Sequence, residues 1–344
     1  MNFETQFRRF GGAFFSTVAW AVYAAAAVQV VMPASAAEPA PVATHAAGVA
    51  QGPAPGKPTT KTEERLSLND AIVIGASVSD GFLSTWDVPL AKPSASGATR
   101  GQRALKLRDV LWAVTSTGGV DNVPMAGTTK AINNKSSMMF FMSADQQAED
   151  QIQAARVPGV TQVFALDYLF WHCYGVMAEG DRLTMLGEGL KRLESLGEKM
   201  PLVIGDMPDM RHATMMLRPA QIPTVETLAK ANEVIAAWVK LRKNVVVVPL
   251  TKLVLDVRAG KGIDLGGKLY DRDAAKELLQ ADGLHATVPG MVAVAIDALV
   301  RLRDAGLVPK SETFESDPKV VLARLSAVPT VVEPAKAAGD SPKK

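Results

Sequence analysis

Residues 71–81 read Ala71-Ile72-Val73-Ile74-Gly75-Ala76-Ser77-Val78-Ser79-Asp80-Gly81, an apolar, β-branched run that stops at glycine and serine. This pattern is typical of a buried strand that feeds a tight turn and then a helix. Such a turn holds a serine hydroxyl at the carboxyl edge of a sheet, beside free backbone amides at a helix N-terminus. Those amides can stabilise an oxyanion, so the stretch is a candidate nucleophile site. The alternative is a buried strand that ends in an ordinary turn.

The rest of the region between the two tails alternates in a βα manner. Apolar runs predict strands at residues 71–75, 136–143, 159–166, 202–205 and 244–249. Helical spacing predicts helices at 143–155 (with Ser143 as N-cap), at 181–197, after Pro223-Thr224 and at 288–305, and residues 105–115 fit a short helix or strand. Strands separated by helices favour a mostly parallel sheet covered on both faces, with ligands beyond the carboxyl ends of its strands.

A second motif lies near the far end of the chain. Asp282-Gly283-Leu284-His285 precedes a long apolar helix. An aspartate three residues before a histidine can place its carboxylate against Nδ1 of the ring, which leaves Nε2 to face a serine from another loop. The alternative for His285 is a histidine that flanks the helix and bonds to backbone. His172 and His212 are competing bases on chemistry alone, and His172 has no carboxylate three residues before it.

The early serine, the late Asp-x-x-His and the α/β pattern between them together resemble the SGNH (GDSL-type) hydrolase family over about residues 66–302. The resemblance implies a flavodoxin-like three-layer α/β/α sandwich with a mostly parallel central sheet, and ester hydrolysis through an acyl-enzyme. It implies that Ser77 is the nucleophile and first oxyanion donor, His285 the base and Asp282 the acid that holds its tautomer. Ala76 departs from the aspartate usual in the family; Ser79 and Asp80 are flanking residues.

Two further oxyanion positions follow from the same resemblance. The glycine expected after the next strand matches Gly127, although Gly118 or Gly119 would serve as well, and all three also fit ordinary turns. Asp167 falls where the family has an asparagine. An ionised carboxylate cannot donate a hydrogen bond to an oxyanion. Asp167 therefore acts there only if burial keeps it protonated, or else it binds a polar substrate group while backbone amides stabilise the oxyanion.

The residues after Asp167 include three large side chains that are unusual for a loop, namely Trp171, His172 and Tyr174. They either line the cleft or pack in the core. The stretch 206–219 follows another strand end and contains Met207, Met210, Met215 and Met216. These methionines make either a pliable apolar wall for an acyl group or core filler.

Charged residues in the same stretch leave a similar choice. Arg211 and Arg218 either meet an anionic substrate or are solvated.

Composition excludes several classes. A formal net charge of +2, from 37 basic and 35 acidic residues, gives no reason to expect a nucleic-acid partner. The one cysteine, Cys173, excludes an internal disulfide and fits a small buried apolar residue better than a reactive thiol. Four histidines without an H-E-x-x-H pair argue against a zinc site. We expect no metal and no cofactor.

The N-terminus predicts export. Arg8 and Arg9 precede an apolar run over residues 13–32, and Ala34-Ser35-Ala36 has the form of a signal-peptidase site. Residues 1–37 are therefore a predicted signal peptide, with an uncleaved membrane anchor as the alternative. Residues 38–61 are a predicted disordered Ala/Pro-rich linker, 62–330 the hydrolase domain and 331–344 a disordered tail.

The sequence thus predicts an exported, periplasmic or secreted serine esterase. Its substrate is a small-molecule, lipid or glycan ester, and membrane contact is expected only through the N-terminal segment if that segment is retained. An acyltransferase differs only in the acceptor that reaches the acyl-enzyme. A non-catalytic binding or scaffold protein of the cell envelope is the rival from another class, because Ala76 and Asp167 both alter positions close to the chemistry.

Overall fold

The computed structural model describes residues 70–89, 97–116, 132–310 and 313–327. All of them belong to one compact unit, Thr62–Lys344. The predicted signal peptide, linker and C-terminal tail, and the glycines at 118, 119 and 127, lie outside the described residues.

The centre of the domain is a five-stranded parallel sheet. Its strands are β1 (Ala71–Val73), β4 (Asn133–Asn134), β5 (Gln162–Ala165), β6 (Leu202–Gly205) and β7 (Val245–Val248), in the spatial order β4-β1-β5-β6-β7. Counted along the chain this is the order 2-1-3-4-5 of flavodoxin-like folds. Every residue of β1, β5 and β6 is buried, as expected for a parallel sheet covered on both faces.

Two antiparallel hairpins stand outside this sheet. One pairs β2 (Thr85–Pro89) with β3 (Arg100–Ala104), and the other pairs β8 (Ile263–Leu265) with β9 (Lys268–Tyr270). Nothing in the sequence pattern predicted either hairpin.

Helices flank the sheet on both faces. They are α1 (Leu107–Thr115), α2 (Ala144–Ala155), α3 (Phe170–Cys173), α4 (Arg182–Glu194), α5 (Val225–Lys240), α6 (Leu250–Arg258), α7 (Arg272–Lys276), α8 (Val288–Asp304) and α9 (Pro318–Ala327). Parallel crossovers are right-handed, and the β1-to-β4 connection runs along the sheet in the opposite direction from the later ones. It therefore puts α1 on the face opposite to α2, α4 and α5. Accordingly α1 packs on α8, while α4 packs between α2 and α5.

The predicted fold class is confirmed: the domain is a three-layer α/β/α sandwich around a parallel sheet. Within residues 105–115 the chain forms helix α1, Leu107–Thr115. The strand predicted at 202–205 is present with the same bounds, and those predicted at 71–75, 159–166 and 244–249 are present with shifted ends. The helix after Pro223 begins as expected, because the Thr224 hydroxyl accepts a hydrogen bond from the Thr227 amide. Helix α2 begins after Ser143, but the Ser143 hydroxyl makes no capping hydrogen bond.

The strand predicted at residues 136–143 is wrong. The second strand of the sheet is β4, two residues long and composed of asparagine, and residues 140–142 form a turn of 3₁₀ helix. Phe140 is buried there, whereas Met138, Met139, Phe141 and Met142 are exposed. The apolar run imitates a buried strand in composition, but its residues leave the sheet edge and begin the connection to α2.

The predicted closing helix is not the last element, because α9 follows α8. Among the helices within the described ranges, none combines the length and the apolar composition needed to cross a bilayer.

Candidate active site

The turn after β1 is built on a glycine that no other residue can replace without strain. Gly75 has φ +136°, and a Cβ at this position would lie 2.2 Å from Oδ1 of Asp167. The buried side chain of Gln151, on α2, brackets the residue: its Oε1 accepts from the Gly75 amide at 2.7 Å and its Nε2 donates to the Gly75 carbonyl at 2.9 Å. The start of the turn is therefore fixed by a residue from a different layer of the fold.

Asp167, directly after β5, fixes the rest of the turn by accepting hydrogen bonds from it. Its Oδ1 accepts from the Ala76 amide at 3.0 Å and from the Ser79 hydroxyl at 2.5 Å. Its Oδ2 accepts from the amides of Val78 at 2.8 Å and Ser79 at 3.3 Å. The Ser77 amide is the one between Ala76 and Ser79 that Asp167 leaves unused.

The structure thus places Asp167 against the turn that carries Ser77. Three backbone amides of this turn donate hydrogen bonds to the Asp167 carboxylate, so Asp167 acts there as an acceptor. Burial raises the pKa of the Asp167 carboxyl, and the hydrogen bonds from Ser79, Ala76 and Val78 oppose that rise. The sequence suggested that Asp167 donates to the oxyanion or binds a polar group of the substrate. In the structure both of its carboxylate oxygens instead accept hydrogen bonds from residues of the turn.

Ser77, His285 and Asp282 form one hydrogen-bonded chain. Nε2 of His285 lies 2.9 Å from Oγ of Ser77, and Nδ1 lies 2.7 Å from Oδ2 of Asp282. Because a carboxylate can only accept, Nδ1 carries the proton and Nε2 is the acceptor for the serine hydroxyl. Ser77 is partly exposed, whereas the His285 side chain is 3% exposed and the Asp282 side chain 9%.

Asp282 is held as a carboxylate. Its Oδ1 accepts from the amides of Leu284 at 2.9 Å and His285 at 3.0 Å, while Oδ2 meets the ring. Burial alone would raise the pKa of Asp282, but the hydrogen bonds from the ring and amide of His285 and from Leu284 outweigh it and lower the pKa. The residue is therefore ionised throughout the neutral range.

The loop that carries His285 is fixed by its own neighbours. The Gln280 amide donates to the His285 carbonyl at 2.8 Å, and the Gln280 side chain donates to the carbonyls of Ala286 and Phe82. The Phe82 ring lies against the imidazole, with 4.5 Å between ring centroids. Thr287 then caps α8 by accepting from the Gly290 amide. These contacts orient the base before any substrate arrives.

A further carboxylate ties the turn to the edge of the sheet. Asp80 pairs with Nζ of Lys106 at 2.5 Å, and the same Oδ1 accepts from Asn134 and Ser136, the end of β4 and its continuation. Its Oδ2 accepts from the Met138 amide at 3.2 Å. Asp80 is therefore a flanking residue in sequence and a cross-link in the fold.

The expected second oxyanion donor, Gly127, lies outside the described residues. It precedes β4 in the chain, whereas the residues that follow this strand are Lys135, Ser136 and Ser137. The Ser137 amide is already bonded to the Gly75 carbonyl. Within the described ranges the Ser77 amide is the one in this turn that Asp167 leaves available, and the oxyanion roles of Ser77 and Gly127 stay predictions.

A cavity of about 70 Å³ opens beside Ser77, beyond the carboxyl ends of β5 and β6. Three of its lining side chains are polar: Ser77, Asp167 and Asp206. The others are apolar, glycine or proline: Val78, Leu107, Leu166, Leu169, Phe170, Gly205, Pro208, Met210, Leu250, Leu253, Val254, Leu278, Leu279, Leu284, Ala286, Gly290, Met291 and Val294. The space next to the serine is therefore lined by hydrocarbon.

The aromatic residues after Asp167 mostly pack in the core. His172 and Tyr174 are fully buried and Trp171 is 9% exposed, and none of the three lines the cavity, whereas Leu169 and Phe170 do. The Tyr174 hydroxyl donates to the Pro208 carbonyl at 2.7 Å and accepts from the Met210 amide. Burial lowers the pKa of His172 to about 4, so this histidine is a neutral core residue and not the base.

The four methionines of residues 206–219 do not share one environment, so neither the apolar-wall nor the core-filler interpretation covers all of them. Met210 lines the cavity, Met207 is buried in the core, and Met215 and Met216 are exposed. Only one of the four methionines thus contributes to the expected apolar wall.

The remaining candidates from this part of the chain lie away from the cavity. His212 and Arg218 are exposed, and Arg211 forms an exposed ion pair with Asp209 at 2.6 Å. Cys173 is buried, and burial raises the pKa of its thiol to about 12, which keeps the thiol protonated.

The described part of the chain holds no group of three or more His, Cys, Asp or Glu side chains placed to bind one metal ion. No protein-family model matches the sequence, and no curated protein is significantly similar to it. The function is therefore inferred from the geometry of the site.

Proposed function

We propose that the protein is an exported serine esterase of the SGNH type, which hydrolyses a carboxylic ester through an acyl-enzyme. The observation that carries the proposal is the continuous hydrogen-bonded chain from Ser77 through His285 to Asp282 at the mouth of an apolar cavity. A nucleophile, a base within hydrogen-bond reach and a group that orients the base are what acyl transfer requires. Export is supported by the sequence of residues 1–37.

In the first half-reaction His285 takes the proton of the Ser77 hydroxyl through Nε2 as Oγ attacks the ester carbonyl. The carbonyl oxygen becomes an oxyanion, which the Ser77 amide stabilises. The tetrahedral intermediate collapses, His285 gives its proton to the leaving alkoxide, and an alcohol departs. The acyl group is then bonded to Oγ of Ser77.

In the second half-reaction a water molecule replaces the alcohol. His285 takes a proton from this water, which attacks the acyl carbonyl, and the same amide again stabilises the oxyanion. The bond to Oγ breaks, Ser77 recovers its proton from His285, and the carboxylic acid is released. Asp282 stabilises the imidazolium that exists during both steps and keeps Nε2 directed at the serine.

Asp167 has a positioning role in this proposal. By accepting from the amides on either side of Ser77, it sets the plane of the Ser77 peptide and leaves that one N–H directed away from the carboxylate. The developing oxyanion then meets an amide dipole held in place beforehand. This explains how a carboxylate can occupy the position where the family has an asparagine.

The test measures hydrolysis of p-nitrophenyl butyrate by the purified protein, by its Ser77→Ala variant and by a Ser195→Ala control, which removes an exposed hydroxyl on the end of α4. A fluorophosphonate probe is applied to the same three proteins. We expect activity and labelling in the wild type and the control and neither in Ser77→Ala. Absence of both in the wild type would instead favour a binding or scaffold protein on the same fold.

A further inference from the structure

The cavity beside Ser77 offers a ligand almost nothing but hydrocarbon. Within the described residues no lysine, arginine or histidine side chain lines it. Its walls come from several parts of the fold, among them the loops after β5 and β6, the first two turns of α6 with Leu253 and Val254, and the start of α8 with Met291 and Val294. A carboxylate or phosphate on the acyl group would enter this space without a counter-charge.

The two carboxylates of the lining are already used by the protein. Asp167 accepts from the Ser77 turn, and Asp206 accepts from the Thr251 amide at 2.7 Å, at the start of α6. Burial raises the pKa of Asp206, against the hydrogen bonds from Thr251 and Leu250. Hydroxyl groups of a sugar would thus find few partners here, because the polar side chains other than Ser77 have theirs within the fold.

The cavity volume limits the size of the occupant. A water-sized group needs about 10–15 Å³ measured in this way. A volume of about 70 Å³ therefore accommodates roughly five to seven such groups. An acetyl group would leave most of this apolar space unfilled, whereas a short straight chain would fill it.

We infer that this cavity binds the acyl chain of the ester, and that the natural substrate carries an uncharged, unbranched hydrocarbon acyl group of about six carbons. The inference rests on the proposed function, because it places the ester carbonyl at Ser77 and the acyl chain in the cavity that Ser77 lines. The apolar lining and the volume of the cavity favour esters of hydrophobic carboxylic acids. They disfavour O-acetyl groups and acyl groups that bear a charge or hydroxyls. Val254 and Met210 become residues that determine chain length.

The test measures kcat/KM for p-nitrophenyl acetate, butyrate, hexanoate and decanoate with the purified full chain, each divided by the spontaneous hydrolysis rate of the ester. Burial of one methylene group is expected to raise kcat/KM about fourfold, so hexanoate, with four more methylene groups, should exceed acetate by about two hundredfold. Decanoate should bring no further gain. Ser77-dependent activity that is as high on acetate as on hexanoate would overturn the acyl-chain assignment and leave the esterase proposal standing.

Two variants change the cavity in opposite directions. Val254→Phe fills it and should lower the ratio of hexanoate to acetate at least tenfold. Met210→Ala enlarges it and should raise the ratio of decanoate to hexanoate, and it carries the test alone if Val254→Phe does not fold. Leu255→Phe, one residue along α6 and 49% exposed, is the control with an unchanged profile. Profiles that stay unchanged in both cavity variants would overturn the inference.

Binding can be measured without the reaction. p-Nitrophenyl hexanoate should raise the melting temperature of the Ser77→Ala protein, and p-nitrophenyl acetate at the same concentration should not. If the wild type hydrolyses neither ester but this difference is present, the cavity assignment stands and the esterase proposal fails. If hexanoate gives no shift beyond that of acetate, the cavity assignment fails.

Discussion

The Ser77 turn (residues 75–81) and the His285 loop (residues 280–287) are joined by the hydrogen bond between Oγ of Ser77 and Nε2 of His285, but they are held in place in different ways. Partners from distant parts of the chain fix the turn: Gln151 on α2, Asp167 after β5 and Lys106 before α1. The loop is fixed largely by residues within five positions of His285, above all Asp282 and Gln280. The position of Ser77 thus depends on the assembled sheet, and we call the Ser77 turn the assembled half of the site. His285 and Asp282 are positioned mainly by neighbours in sequence, and we call their loop the local half.

The two aspartates show the same difference electrostatically. Burial raises the pKa of Asp167 despite its hydrogen bonds, whereas the hydrogen bonds of Asp282 outweigh burial and lower its pKa. A raised carboxyl pKa removes stability as the pH rises through the titration. A lowered one supplies stability that is lost as the pH falls through the folded-state pKa. The two halves of the site therefore respond to acid with opposite signs.

The largest expected effect comes from the local half. Asp282→Asn keeps an oxygen for the amides of Leu284 and His285 but turns an amide donor toward Nδ1, which favours the wrong tautomer of the ring. We expect kcat on p-nitrophenyl butyrate to fall about 10⁴-fold, the loss known for this change in serine-protease triads. The melting temperature should also fall, because the stability supplied by the lowered pKa of Asp282 is lost.

Asp273→Asn, which alters an exposed carboxylate on α7, is the matched control for the loss of charge and should retain full activity. An Asp282→Asn protein with kcat within tenfold of the wild type would mean that the base does not depend on its carboxylate.

The assembled half is tested by Asp167→Asn, which introduces the residue usual in the SGNH family. One oxygen of the carboxylate becomes an NH₂ group that faces donors, so at least one backbone amide of the turn loses its acceptor. We expect a loss of about 1–3 kcal/mol in the free energy of unfolding. Displacement of the nucleophile should lower kcat by about 10²-fold.

Ser79→Ala removes one of the four donors to Asp167 and should give a smaller loss of the same kind. A gain in kcat with Asp167→Asn would contradict the positioning role, because it would mean that an amide at residue 167 reaches the oxyanion itself.

Acid should destabilise the fold through the core residue His172, which is enclosed between Phe140, Tyr168 and Gly189 with no hydrogen-bond partner for either ring nitrogen among the described residues. Burial lowers the pKa of His172 from 6.5 to about 4, so the unfolded chain binds the proton first as the pH falls. Stability should decrease by about 3 kcal/mol between pH 7 and pH 4.

Urea unfolding of the wild type and of His172→Phe across this range measures the effect, with His212→Gln as the control at an exposed histidine. The His172→Phe variant should lose this part of the pH dependence. If the free energy of unfolding changed with pH by the same amount in the wild type and in His172→Phe, His172 would have the same pKa in the folded and unfolded states.

The smallest expected difference is between two glycine variants, and it separates backbone strain from steric collision at the start of the turn. Gly75→Ala places a Cβ against Asp167 at an unfavourable φ, whereas Gly159→Ala, at φ +99°, meets no atom within 4 Å. We expect a loss of about 2–3 kcal/mol in the free energy of unfolding for Gly75→Ala, and of about 1 kcal/mol for Gly159→Ala. Equal losses would mean that the turn yields to the extra methyl group.

The local half of the site was within reach of the sequence and the assembled half was not. Asp282 and His285 are three positions apart, so one short loop can bring them together. The contact of Asp167 with Ala76 and Ser79 spans about 90 positions and depends on β1 pairing with β5, which no local pattern encodes. The residue was found by its place after a strand, but its role as an acceptor depends on distances that only the fold sets.

The fold shows the same limit. Strands that are buried on both faces carry long apolar runs, and β5, β6 and β7 were found by them. The edge strand β4 has two asparagines and no apolar signal, so the apolar run at residues 138–142 took its place in the prediction. Short exposed hairpins such as β2–β3 alternate too weakly to stand out from loops.

The separation of 208 residues between Ser77 and His285 has a kinetic consequence. Neither half of the site is competent until the sheet has brought β1 beside β5 and α8 has docked, so recovery of activity after dilution from denaturant should follow the last folding phase and not the early gain of helix. If the proposed function and export hold, a chain that crosses the membrane unfolded would therefore be inactive until it folds on the other side.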